Sequence, residues 1–165
     1  MRAGNAVVLC ALAALAACSA GSGGGTRTAA VGRAAPDWNE PTSTGAMLSM
    51  QSLHGKAVYL NFFATWCPPC NEEAPDVNAL QKKFAASGLQ VVGVDELEDA
   101  KKAAEFVRKF DLVYPAVVDG GALQSAYNVN GLPVHVFIDR GGVIRKIVQG
   151  EMSKKEIAAA IQSIL

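Results

Sequence analysis

Histidine is nearly absent from this sequence, with two in 165 residues, and cysteine is sparse, with four. A structural zinc site usually takes four ligands. His54 and His135 stand at no familiar ligand spacing, so no metal and no cofactor are expected. Excess charge of either sign is also missing, with 15 Lys plus Arg against 15 Asp plus Glu. Without a basic run or an aromatic–basic stripe there is no electrostatic footprint for nucleic acid. Without an acidic block there is no solvated acidic tail. The apolar stretch at 6–17 is too short to span a bilayer comfortably. Hydrophobic residues are plentiful, at 50%, enough for the core of one ordinary domain without disulfide staples.

Met1-Arg2 supplies a short positive start, and "AVVLCALAALAA" at 6–17 fits the apolar region of a secretory signal. The run ends in "LAAC", 15–18, which resembles the bacterial lipobox. That resemblance implies a lipoprotein signal peptide over 1–17 and Cys18 as the lipidated mature N-terminus. An uncut signal anchor or ordinary secretion are the alternatives on the same residues. "SAGSGGGTRTAAVGRAA", 19–35, has no periodicity and reads as a flexible tether. A coil of this kind reaches roughly 20 Å on average. Residues 18–35 are therefore expected to link the lipid to a folded domain over 36–165, beginning at Pro36-Asp37-Trp38. The lipid anchor would hold that domain outside the cytoplasm, in the periplasm or at the cell surface, where disulfides persist. With Cys10 removed and Cys18 acylated, Cys67 and Cys70 are the thiols left.

Within the domain, apolar segments alternate with amphipathic ones. "AVYLNFF" at 57–63 and "LQVVGV" at 89–94 read as buried strands. Helices are expected over 68–86, where Val77, Leu80 and Phe84 share a face, and over 99–110, where Ala103, Phe106, Val107 and Phe110 do. "PAVVD" reads as a short strand and 122–127 as a short helix. "VHVFID" and "VIRKIV" flank Arg140-Gly141-Gly142, a hairpin signal, and "SKKE" at 153–156 is a capping box that opens a last helix. Strand–helix alternation followed by a hairpin and a helix predicts an α/β fold, a central mixed sheet flanked by helices.

The segment "NFFATWCPPCNEEAP" carries the chemistry. Cys67 falls at the end of a strand-to-helix loop, with Pro68 at the first helical position, where proline is well tolerated. The positive end of the helix dipole stabilises a thiolate at Cys67 and makes it the attacking group. Pro68 and Pro69 have no N–H, so the Cys70 amide is the nearest backbone donor. Cys70, one turn deeper, is expected to be shielded and to resolve the mixed disulfide. Half a zinc site lacks its other ligands, and a purely structural disulfide across C-x-x-C closes too small a loop to add much stability.

"FFATWCPPC" resembles the active-site segment of thioredoxin-fold proteins. "APDWNEPTSTGAMLSMQSLHGKAVYLNFFATWCPPCNEEAP" resembles the opening of membrane-anchored thiol-disulfide oxidoreductases of the TlpA/ResA kind, and "VNGLPVHVFIDRGGVI" resembles their cis-proline segment. The likeness covers 34–165. It implies a thioredoxin-like fold whose 99–110 helix and "PAVV" strand form the family's insert. It implies a cis peptide before Pro133, facing the cysteines, with the Leu132 backbone pairing with a substrate chain beside Trp66. Pro75 matches the family's helix-kinking proline. Protein thiols and disulfides are the implied substrates, for example those of apocytochrome c, with a membrane reductant or oxidant as partner and the chain itself a monomer.

Two departures from the pattern matter. Asn61 stands six residues before Cys67, where thioredoxin has a buried carboxylate, and an amide cannot take a proton. Glu73, three residues after Cys70 on the same helical face, is the candidate proton acceptor. Glu72 is expected to be a surface partner of the helix dipole. Val134 and His135 replace the threonines common after the family's cis-proline. Alternation puts His135 on the face of Pro133, so it either joins the proton relay or is an ordinary hydrogen-bonded core histidine. The resemblance points to the reducing direction. The same residues also serve a disulfide-forming oxidase, and a copper chaperone or redox-silent adaptor is the reading from another class, more typical of a C-x-x-x-C pair.

Overall fold

The computed structural model describes Met1 and residues 28–165. Residues 2–27, which hold the rest of the expected signal peptide, Cys18 and the first part of the expected tether, lie outside the described residues. Five strands form the central sheet: β3 (Ala57–Phe63), β4 (Leu89–Glu96), β5 (Ala116–Asp119), β6 (Val134–Ile138) and β7 (Ile144–Gln149). Their order is β5-β4-β3-β6-β7, with β3, β4 and β5 parallel and β6 antiparallel to both β3 and β7. A separate short hairpin of β1 (Asn39–Pro41) and β2 (Met47–Ser49) precedes them. Three-residue strands carry no legible alternation, and the sequence reading did not include this hairpin.

The helices are α1 (Pro68–Phe84), α2 (Ala100–Lys109), α3 (Ala122–Ala126) and α4 (Lys154–Gln162). Each longer one has a visible start. The Asp99 carboxylate accepts from Lys102 N–H at α2, and Ser153 with Glu156 closes the expected capping box at α4. After α1 one tight turn leads to Gly88, whose φ of +86° releases the chain into β4.

Alternation along the strands sorts the core into two layers. Ala57, Tyr59 and Phe63 of β3, Leu89 and Val91 of β4 and Phe137 of β6 pack with α1, α2 and α4, in the cluster that also holds both cysteines. Val58, Leu60, Phe62, Val92, Val94, Val134 and Val136 pack on the other side with Leu123, Tyr127 and Trp38. Parity places Asn61 and His135 on the cysteine face. Gly93 lies beneath that face, where a Cβ would stand 2.9 Å from Phe63 Cε1. Its lack of a side chain lets Phe63 stack on Phe106 at 4.2 Å.

Two boundaries differ from expectation. The tether does not extend to Ala35. Ala29 N–H donates to Ala126 O, Gly32 N–H to Ile144 O and Ala35 N–H to Gly142 O, and Arg33 O accepts from Ile144 N–H. β7 is an edge strand with open backbone groups, and the segment satisfies part of that edge. Backbone pairing of this kind leaves no mark in side-chain composition. β4 runs on to Glu96, so two carboxyls, Asp95 and Glu96, end a buried strand. No helix of the described residues is long and apolar enough to cross a membrane.

Candidate active site

β3 ends at Phe63, and the chain turns through Ala64, Thr65 and Trp66 into α1. Cys67 is the N-cap, with extended backbone, and its Sγ accepts from the Cys70 N–H at 3.3 Å. Pro68 and Pro69 fill the first helical positions and donate nothing. The two cysteines are joined as a disulfide. The expected shielding of Cys70 relative to Cys67 is not seen as a difference in exposure, because the two are 4% and 2% exposed. Both sulfurs belong to one apolar cluster, so what distinguishes Cys67 is its place at the helix N-terminus and the amide aimed at it.

The turn before Cys67 is braced from the inserted helix. The Glu98 carboxylate accepts from both Thr65 N–H and Thr65 Oγ1–H, each at 2.6 Å. Asn71 Nδ2 donates to Thr65 O at 3.1 Å and to Cys67 O at 2.7 Å, and Lys109 Nζ donates to Asn71 Oδ1 at 2.7 Å. Glu98 precedes α2 and Lys109 ends it, so both ends of α2 hold the loop. Sequence reasoning missed Glu98, Asn71 and Lys109. Glu98 meets Thr65 across 33 residues and Lys109 meets Asn71 across 38, and neither pair has a periodic signature. Trp66, between Thr65 and the nucleophile, is 69% exposed.

Glu73 lies one turn beyond Cys70. Its Oε1 accepts from Met152 N–H at 2.7 Å, while its buried Oε2 finds no hydrogen-bond partner among the described residues. Burial pushes its pKa up to about 7; the Met152 N–H opposes this, and the charges of Glu151 and Asp76 add to it. Oε2 is 3.5 Å from Nε2 of His135. His135 is fully buried, with Nδ1 2.7 Å from Tyr59 OH and Nε2 3.1 Å from Gly150 O. Burial lowers its pKa to about 4, so a neutral imidazole faces Glu73 and the contact is not an ion pair. Glu72 is exposed and lies beyond the first turn of α1, where the dipole has little hold, so the expected role does not fit it.

Asn61 is 6% exposed and sits opposite His135 in the β3–β6 register. The peptide from Leu132 to Pro133 is cis and leads directly into β6. At the end of β4, Asp95 is fully buried, and neither of its carboxylate oxygens has a hydrogen-bond partner among the described residues. Burial, then the neighbouring Glu98, raise its pKa to about 8. Glu96 points to the other face, where burial and the charge of Asp119 raise its pKa to about 8. A sulfur pair at a helix N-terminus, with a carboxyl one turn on that titrates near neutrality, can exchange disulfides and move the accompanying proton.

The model of the AhpC/TSA family matches residues 31–147. The thiol-disulfide oxidoreductase ResA of Bacillus cereus is 32% identical over 135 residues, covering 81% of this chain and 78% of the relative. The thioredoxin-like protein YneN of Bacillus subtilis is 41% identical over 130 residues, covering 76% and 75%. Among solved structures, a thiol:disulfide interchange protein of the thioredoxin family from Chlorobium tepidum matches with a TM-score of 0.75 at 31% identity, over 83% of this chain and 99% of that one.

Proposed function

The chain belongs to the AhpC/TSA family and is a thioredoxin-fold thiol-disulfide oxidoreductase, and on that premise we propose that it works as a reductant held outside the cytoplasm by a lipid on Cys18. The supporting observation is the poor provision for a thiolate at Cys67. Its sulfur accepts from one amide, that of Cys70, because Pro68 and Pro69 have none to give. Of the ionisable groups placed around the pair, Glu98 against Thr65 and Glu73 one turn beyond Cys70 are carboxyls, and the Lys109 ammonium is bonded to Asn71 Oδ1 rather than to a sulfur. A thiolate stabilised only by the helix N-terminus favours the disulfide form of the pair, and a protein that favours its own disulfide is a reductant.

In the reduced protein the Cys67 thiolate attacks a substrate disulfide. A mixed disulfide forms and one substrate thiolate leaves. Cys70 then gives its proton to Glu73 Oε2 and attacks Cys67 as a thiolate, which expels the second substrate thiolate and leaves the Cys67–Cys70 disulfide; the proton held by Glu73 then returns to a substrate thiolate or to solvent. A pKa near 7 leaves Glu73 partly ionised at neutral pH, as a general base requires. Trp66 and the Leu132 backbone before cis-Pro133 receive the substrate chain as an added strand. Disulfides of exported proteins such as apocytochromes c are the substrate class, and a membrane dithiol partner restores the pair.

Equilibration against dithiol buffers tests the direction. A potential at or below that of thioredoxin, about −270 mV, is expected, and one near that of a strong oxidant, about −120 mV, overturns it. For the anchor, Cys18→Ala moves the protein from the membrane to the soluble fraction, and unchanged membrane association removes the lipid from the account.

A further inference from the structure

Tyr59 and His135 are unused by the exchange steps, yet they form the wall that Glu73 faces. Gly150 O can only accept, so His135 Nε2, 3.1 Å from it, carries the ring proton. His135 Nδ1 is then the acceptor, and the Tyr59 hydroxyl at 2.7 Å is its donor. One neutral tautomer satisfies both ring nitrogens. The other would set an unprotonated Nε2 against the Gly150 carbonyl oxygen and lose that hydrogen bond. The Nε2–H that this arrangement fixes is also 3.5 Å from Glu73 Oε2, the carboxylate oxygen that lacks another partner.

We propose that His135, locked in one neutral tautomer by Tyr59, is the positioning residue of Glu73, its Nε2–H turning from Gly150 O toward Glu73 Oε2 whenever that carboxyl is ionised. The proposal rests on the reading of Glu73 as the proton acceptor. A donor present only for the charged form stabilises that form. It counters burial, which otherwise holds the proton on Glu73. The other groups bearing on the site are few. Asp76 on α1 and Glu151 after β7 raise Glu73 by their charge, and Met152 N–H lowers it. Asp76 is itself paired with Lys154 at 2.8 Å. Lys146 on β7 disfavours a charged imidazole, and Tyr114 and Glu73 disfavour an ionised Tyr59. None of these supplies Oε2 with a hydrogen.

The test is the pH profile of the single-turnover reduction of a peptide disulfide, with the Glu73 carboxyl followed by carbon NMR. His135→Leu shifts the Glu73 inflection to higher pH by about one unit, a loss of about tenfold in rate on the acid side. His135→Gln, which keeps an N–H donor, stays close to wild type. Tyr59→Phe removes one hydroxyl, leaves the stack on Phe137 at 4.7 Å, and shifts the profile in the same direction by less. Nitrogen NMR of the wild-type ring reads the tautomer whether or not the variants fold, with Nε2–H expected from pH 5 to 9. An Nδ1–H ring, or a Glu73 inflection unmoved in His135→Leu while Glu73→Gln abolishes it, overturns the proposal. A profile unchanged in Glu73→Gln instead overturns the reading of Glu73 on which it rests.

Discussion

Replacing Asp95 with asparagine is expected to stabilise the protein, and by more at pH 7 than at pH 5. Asp95 is fully buried at the end of β4, next to the Glu98 latch, with neither carboxylate oxygen hydrogen-bonded among the described residues. Burial holds its pKa at about 8, against about 3.9 in an unfolded chain. Between those values the folded state keeps a proton that the unfolded state has released, so folding stability falls as pH rises through the window. The slope for one such group is about 1.4 kcal/mol per pH unit, or about 2.7 kcal/mol from pH 5 to pH 7. Asparagine has the shape of the protonated acid and does not titrate. Urea unfolding followed by the fluorescence of the buried Trp38 gives both stabilities, and the advantage of Asp95→Asn grows by up to that amount between the two pH values. An equal difference at pH 5 and pH 7 refutes the reasoning, because it means that Asp95 titrates alike in both states.

Glu98→Gln can accept only one of the two Thr65 hydrogens, and each charged hydrogen bond contributes about 1.5–3 kcal/mol. A calorimetric Tm several degrees below wild type is expected, whereas Glu105→Gln, a half-buried partner of the exposed Lys102 at 3.9 Å, changes little. Gly93→Ala drives a methyl against Phe63, which costs about 1–3 kcal/mol by urea unfolding and lowers the exchange rate as the following loop shifts. Trp66→Ala leaves stability within about 0.5 kcal/mol, because the side chain is exposed, but raises KM for a protein disulfide and not for a small dithiol reagent.

What was legible in the sequence was what is local. The C-x-x-C pair, its N-terminal place on α1 and the Ser153 capping box are set by residues within one or two turns of each other, whereas Asp99, read as the first residue of α2, is its N-cap. The meeting of Glu73 with His135 was half legible. Strand parity put His135 on the cysteine face and helical spacing put Glu73 there, but the Tyr59 hydroxyl and Gly150 carbonyl that define the tautomer come from β3 and from the end of β7. Glu98 and Lys109 were invisible as braces because their partners lie across the insert. The docking of 29–35 on the β7 edge was invisible because it uses backbone atoms alone. The strand read as 89–94 stops before two carboxyls, yet β4 runs on through Asp95 and Glu96, whose pKa values burial raises to about 8.

The central claim is that Cys67 attacks and Cys70 resolves, and trapping tests it most directly. Reduced Cys70→Ser, incubated with a disulfide-bonded peptide and analysed by mass spectrometry, is expected to accumulate a mixed disulfide at Cys67, while Cys67→Ser accumulates none. A stable adduct on Cys70 in Cys67→Ser, with none on Cys67 in Cys70→Ser, contradicts the account.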